Sequence, residues 1–188
     1  MIADAQGTIT AHFIAHWGPP SDIRPREIRG VKPFAILEFP PRASRQTWRY
    51  ATNGMSGYLQ HHSDSRMRGR TELFVCAAEK ASWIDDLLGA IAAYPYDYST
   101  YLAEGDTIEV GQPVDRDRSG FTGVLLAPPG PIDPPSLGVI DGFDEAILVH
   151  QVVGLMPSHL QYIQKYSGKK LWGTLVQGGE ALIDRQRE

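Results

Sequence analysis

Five short runs, each fenced by proline, glycine or polar clusters, decide what this chain can build. Residues 34–39 (FAILEF) are apolar with prolines on both sides, and residues 48–53 (WRYATN) alternate aromatic and polar side chains. Residues 72–78 (ELFVCAA), 121–127 (FTGVLLA) and 146–155 (AILVHQVVGL) complete the set. Runs of this length and make-up are strands. None approaches the roughly 18 consecutive apolar residues that a membrane-crossing helix needs. Between them, residues 40–45 read as a hairpin-type connection. Residues 57–69, rich in His, Ser, Asp and Arg, read as a mobile loop, and 128–135 as a proline-rich link.

Helices are expected where the apolar period changes. Ile9, Phe13, Ile14 and Trp17 make one stripe over residues 8–17, closed by Gly18-Pro19-Pro20. Residues 19–33 then form a surface connection. Ser82 and Asp85 have the spacing of a capping box ahead of the stripe Ile84, Leu87, Leu88 and Ile91, a helix that Pro95 should stop. Ser158 and Gln161 repeat that spacing and start a helix ending near Gly168, with a shorter piece over 169–176. Strands and helices without regular alternation predict an α+β fold in a single domain, a mixed, mostly antiparallel sheet flanked by helices. We place an N-terminal helix and connection at 1–33, the main domain at 34–179 and a charged tail at 180–188.

The formal charge is −4, divided as +2 over residues 1–94 and −6 over 95–188. A chain without a strongly basic face lacks the footprint that a nucleic-acid backbone requires, so nucleic acid is not an expected partner. The single cysteine, Cys76, rules out an internal disulfide framework and fits a reducing compartment. Residues 1–6 lack a basic segment followed by an apolar run. The expectation is a cytoplasmic protein with no membrane role.

Residues that could carry chemistry do not converge. Gly54-Met55-Ser56-Gly57 falls one residue short of a G-x-S-x-G elbow, and a tight turn explains its glycines. His12 and His16 stand four apart on a helix face without a third ligand, and His61-His62 with Asp64 point in divergent directions in an extended loop. Cys76 behaves as a small buried hydrophobe. No phosphate-cradling glycine motif is present. No catalytic, cofactor or metal site is assigned.

Residues 94–101 stand out, because Tyr94, Tyr96, Tyr98 and Tyr101 are half of the eight tyrosines. Tyrosine gives a rigid apolar face with a polar tip and is enriched where proteins grip one another. The bland reading is that Tyr94 and Tyr98 pack beneath the preceding helix. Asp106 follows in a glycine turn. We assign Tyr94, Tyr96, Tyr98, Tyr101 and Asp106 to a protein-docking surface.

The ordered set of residues 48–59 (WRYATNGMSGYL), 72–75, the helix from Trp83, Tyr94, residues 101–108 with Gly105-Asp106, 123–126 and 147–156 resembles the Suppressor of fused domain. The likeness spans residues 34–176 and is weaker over the first 33. It implies a mixed sheet flanked by helices, no cofactor and no catalytic constellation. The animal family protein holds Gli transcription factors by gripping an extended peptide between two domains, of which this chain resembles the first. Bacterial single-domain relatives are associated with toxin systems as immunity proteins. By the resemblance alone, Tyr94 and Asp106 match family positions implicated in partner binding.

The leading expectation is therefore a non-enzymatic binding protein, an immunity (antitoxin) or sequestering regulator whose partner is a toxin or regulatory polypeptide, held as an extended peptide. One alternative is a hydrolase-type or metal-dependent enzyme using His61, His62 and Asp64 with Glu104 or Asp106. Another is a structural subunit that associates with itself. Stoichiometry stays open at this level.

Overall fold

The runs read as strands pair into one mixed sheet, in a computed structural model that describes residues 2–27, 33–61, 68–115, 120–178 and Ile183, with backbone alone for residues 2–4. In chain order the elements are α1 (Ile2–Trp17), β1 (Asp22–Arg26), β2 (Phe34–Phe39), β3 (Trp48–Asn53), β4 (Gln60–His61) and β5 (Arg68–Ala77). Then come α2 (Trp83–Tyr98), β6 (Thr107–Glu109), β7 (Gly123–Ala127), β8 (Val139–Ile140), β9 (Ile147–Leu155), α3 (Pro157–Lys165) and α4 (Gly168–Leu175). Strands lie in the order β1-β2-β3-β5-β9-β7-β6, with β4 beside β5 and β8 beside β9. Every pair is antiparallel except β5 with β9, which run parallel from Arg70 opposite Ile147 to Phe74 opposite Gln151. This is the expected α+β fold. No helix among the described residues is long and apolar enough to cross a membrane.

Alternation along the strands divides the core. Ile36, Tyr50, Leu73, Val75, Val124, Leu126 and Val152 face Ile84, Leu88 and Ile91 of α2. The opposite face carries Leu37, Phe39, Phe74, Cys76, Ile147 and Val149 beneath Ile9, Phe13 and Trp17 of α1. Further along it, Leu125, Val153 and Leu155 meet Leu171 of α4 and the inner side of α3. Each large side chain so buried contributes about 1.5–3 kcal/mol relative to exposure.

One carboxylate closes the junction between β3 and β5. Glu72 is fully buried and accepts from Thr52 Oγ1 (2.6 Å), Gly54 N–H (3.0 Å), Ser56 N–H (2.9 Å) and Ser56 Oγ (2.6 Å). Burial pushes its pKa above the ordinary value, against the pull of those four donors. The tight turn at 54–57 exists because this acceptor gathers its N–H groups.

Several local expectations give way to long-range partners. Residues 19–33 were expected to be a surface connection, yet they include β1, which pairs with β2 from Asp22 opposite Glu38 to Arg26 opposite Phe34. Arg24 of β1 donates to Asp85 through Nε (2.6 Å) and Nη2 (2.8 Å) and to Glu38 (3.0 Å). Asp85 is thus engaged by an arginine, Ser82 makes no side-chain cap, and the expected capping box does not form. Ser158 does not cap α3 either. That helix starts at Pro157, and the His159 ring accepts from Met156 N–H (3.3 Å).

Pro95 does not stop α2, which continues to Tyr98 with Ser99 in the left-handed region as its cap. Proline this near the C-terminus forfeits one intrahelical bond, and its burial with the apolar stripe offsets the loss. Helix α1 begins at Ile2, ahead of the expected residue 8, and α3 ends at Lys165. The expected loop at 57–69 lies partly outside the described residues, and its ends are β4 and the start of β5.

Replacing Glu72 with alanine strands four buried donors and should cost about 3 kcal/mol, read as a lower urea midpoint at unchanged slope. Glu72→Gln keeps one acceptor and should lose less.

Candidate partner-binding edge and cleft

Because α2 runs past Pro95, three of the singled-out tyrosines sit on helix rather than loop. Tyr94 is half-buried against the main core and its ring meets that of Tyr98 at 4.4 Å. Tyr98 and Tyr96 are 67% and 43% exposed, and Tyr96 stands edge-on to Tyr58 at 5.9 Å. The Tyr94 and Tyr98 rings are tilted by 35° to one another, and both outer rings, Tyr96 and Tyr98, face solvent.

The turn that follows is built by glycine and aspartate together. Gly105 has φ +94°, a conformation open to glycine at little cost. Asp106 Oδ2 accepts from Ala103 N–H (2.7 Å), while Asp106 N–H donates to the Ala103 carbonyl (3.1 Å). Gly105 N–H reaches the Leu126 carbonyl (2.8 Å), and Leu126 N–H returns to the Asp106 carbonyl (2.9 Å). Asp106 therefore shapes the entry to β6.

Among the described residues β6 is the last strand of the sheet on this side. Asp106 C=O and Val110 N–H both bond toward β7, so by antiparallel parity Thr107 and Glu109 direct their N–H and C=O groups outward. No described residue pairs with that edge, which leaves it able to take an additional strand.

Tyr101 lies near this turn. Its ring packs on β5 at Gly69, where a Cβ would stand 2.7 Å from the ring. Burial first, and the Asp106 charge second, raise its phenol pKa. The structure thus places Tyr101 beside Asp106 and Tyr94 beside Tyr98.

Tyr101 also lines a half-open cleft of about 700 Å³, together with Glu104, residues 128–131, Asp133, Val139, Leu148, His150 and Lys169. Asp133 is held by the buried Arg49 (2.6 Å), whose guanidinium lies over Trp17 at 5.1 Å. His150 is buried and its Nε2 has no hydrogen-bond partner among the described residues. Burial lowers its pKa to about 4, against the opposing contact with the Leu102 backbone. Sequence reasoning passed over His150 and Asp133, and it read Arg49, with Arg42 and Arg45, as a solvated residue, whereas Arg49 is buried. The one signal for His150 was a polar pair, His150-Gln151, inside an apolar strand.

Other candidates have structural occupations. Ser56 is buried and its hydroxyl donates a hydrogen bond to Glu72. His12 contacts the Leu137 carbonyl through Nε2 (3.1 Å), and its ring meets His16 at 4.9 Å. Cys76 is buried, with Gln151 Nε2 at 3.6 Å. Glu104 pairs with Lys169 at 3.7 Å. His61 is exposed on β4, while His62 and Asp64 lie outside the described residues. Among the described residues, no group of three or more His, Cys, Asp or Glu is placed to hold a metal ion.

A family model described as Suppressor of fused protein (SUFU) matches residues 30–188. A SUFU homolog from Neisseria gonorrhoeae, known from its crystal structure, superimposes with TM-score 0.73 at 17% identity, covering 99% of this chain and 96% of that one. A chain from the Sufu-Fu complex gives TM-score 0.73 at 20% identity, covering 98% and 91%. Drosophila Suppressor of Fused gives 0.63 at 22% identity, covering 84% of this chain and 43% of that one. No curated protein matches.

Two outcomes follow from this geometry. Asp106→Ala leaves the Ala103 N–H without its acceptor and should lower stability by about 1 kcal/mol, with Asp106→Asn losing less, by urea titration. A depressed histidine pKa contributes stability above the unfolded value of 6.5 that is lost as pH falls toward about 4. Stability should therefore drop by up to about 3 kcal/mol across that window and flatten in His150→Phe, followed by urea midpoints at each pH.

Proposed function

The chain belongs to the Suppressor of fused family, and we propose that it works as a non-enzymatic protein-binding module that holds an extended segment of another polypeptide. The observation that carries this reading is the open edge of β6, where Thr107 and Glu109 turn their main-chain groups outward next to the Asp106 turn. Strand addition at such an edge supplies affinity through backbone pairing, and neighbouring side chains supply selectivity. The exposed rings of Tyr96 and Tyr98 offer rigid apolar anchors. Tyr94 supports Tyr98 from behind, and Tyr101 with Asp106 borders the start of the strand. A relative captured as the Sufu-Fu complex supports a polypeptide as the class of partner.

The biological role we assign is restraint of that partner in the cytoplasm, as an immunity protein against a toxin or as a sequestering regulator. Neither role needs bond-making chemistry, and the candidate carboxylates support that view. Asp106 is engaged in its own turn, and Glu104 is paired with Lys169.

Glu109→Pro tests the reading. It deletes an outward N–H while leaving the ladder to β7 intact, a change that edge strands tolerate. The wild-type chain, purified from its native cell with its adhering partner, should bind that partner at least about tenfold more tightly than Glu109→Pro. Tyr96→Ala with Tyr98→Ala should weaken binding further. Undiminished affinity in a folded Glu109→Pro chain overturns the edge as the docking site. If the captured partner halts growth when expressed alone and the chain restores it, the role is immunity; a harmless partner points to sequestration.

A further inference from the structure

The cleft opens where the sheet is interrupted. On the side of β9 away from β5, β8 pairs with Ile147 and Leu148, and β7 pairs from Gln151 to Leu155. Val149 and His150 have no strand opposite them there among the described residues. Pro128, Pro129, Gly130 and Pro131 roof the gap, and prolines have no N–H with which to complete a ladder. The result is a slot of about 700 Å³ between that roof and Tyr101, of a size that takes a small molecule or a large side chain.

Its polar interior is one-sided. His150 is 5% exposed and Nε2 has no partner among the described residues, while the ring's contact with the Leu102 backbone, which favours the protonated form, assigns the proton to the other nitrogen. Among the described residues Asp133 Oδ2 is also without a partner, its other oxygen being taken by Arg49. Both orphaned atoms are acceptors. Gln60 Nε2 and Thr71 Oγ1 are unpartnered too, but those residues do not line the cleft. Buried polar atoms without partners are rare enough in folded proteins to demand an account. Here the lining supplies apolar walls from Tyr101, the prolines and Leu148, and its one cationic donor, Lys169, is paired with Glu104 at 3.7 Å.

We infer that this cleft binds a flat aromatic group carrying one N–H or O–H donor, an indole or a phenol, with the donor on His150 Nε2 and the ring between Tyr101 and the proline wall. A lone positive charge is disfavoured, because Arg49 already neutralises Asp133. Nε2 is closed to solvent, so a ligand reaches it only as the lining opens. The same chemistry comes either from a free small molecule or from a tryptophan or tyrosine of a polypeptide held at β6. The second source rests on the proposed function.

The test uses indole, N-methylindole and N-acetyl-L-tryptophanamide, titrated into the full chain while amide resonances are followed by NMR. Indole should shift residues 101–104, Gly130 and residues 148–150 saturably. N-methylindole, which has the same shape and no donor, should bind about tenfold more weakly or worse. His150→Phe should erase that difference while keeping a dispersed spectrum. If that variant does not fold, the comparison of the two indoles on the unaltered chain decides. Binding of N-acetyl-L-tryptophanamide assigns the site to a polypeptide side chain, and its exclusion assigns the site to a free small molecule. No saturable shift with indole, or equal affinity for both indoles, overturns the inference. Neither result depends on Glu109→Pro, so failure here and failure of the edge reading are separable.

Discussion

Parallel strands cannot be joined by a tight turn, and this molecule places a parallel pair, β5 and β9, at the centre of its sheet. Both strands are buried on both faces, so the chain between them has to travel across the sheet and back. Residues 78–146 make that journey. They contain α2, the tyrosines, the Asp106 turn, β6, β7, the proline stretch and β8. Every docking candidate named from the sequence lies in this crossover. The candidate site is therefore a product of topology: the detour that satisfies the central pair also delivers an open edge and a cleft.

Buried charge then fixes the parts that apolar packing leaves loose. Glu38 is contacted by Ser21, Arg24 and Lys80, and Arg24 extends the network to Asp85, tying β1 and β2 to α2. Arg49 reaches across to Asp133 and holds the roof of the cleft on the sheet. Glu72 fastens the turn after β3. Such groups contribute less net stability than their geometry suggests, since desolvation opposes the attraction. Their effect is on position, because each one accepts a single arrangement of neighbours.

Legibility in the sequence followed how local the determinants are. FAILEF and WRYATN became β2 and β3 with the boundaries read from composition, because flanking prolines and alternation are properties of the segments themselves. The Gly105-Asp106 turn was legible for the same reason. β1 was not, since Asp22-Ile23-Arg24-Pro25-Arg26 becomes a strand only by pairing with β2, and its charges resemble those of a loop. The capping box at Ser82 failed because Arg24, sixty-one positions before Asp85, engages the carboxylate. Helix α2 crosses Pro95 because its packing outweighs one absent hydrogen bond. His150 was hidden in a strand whose neighbours are apolar, and only the fold shows what lies next to its ring.

The two rims of the sheet differ in kind. Pro25 removes a donor from β1, whereas β6, Thr107–Glu109, contains no proline. Two copies meeting through β6 would leave β1 as both outer borders, where the missing Pro25 N–H withholds one donor from any further strand.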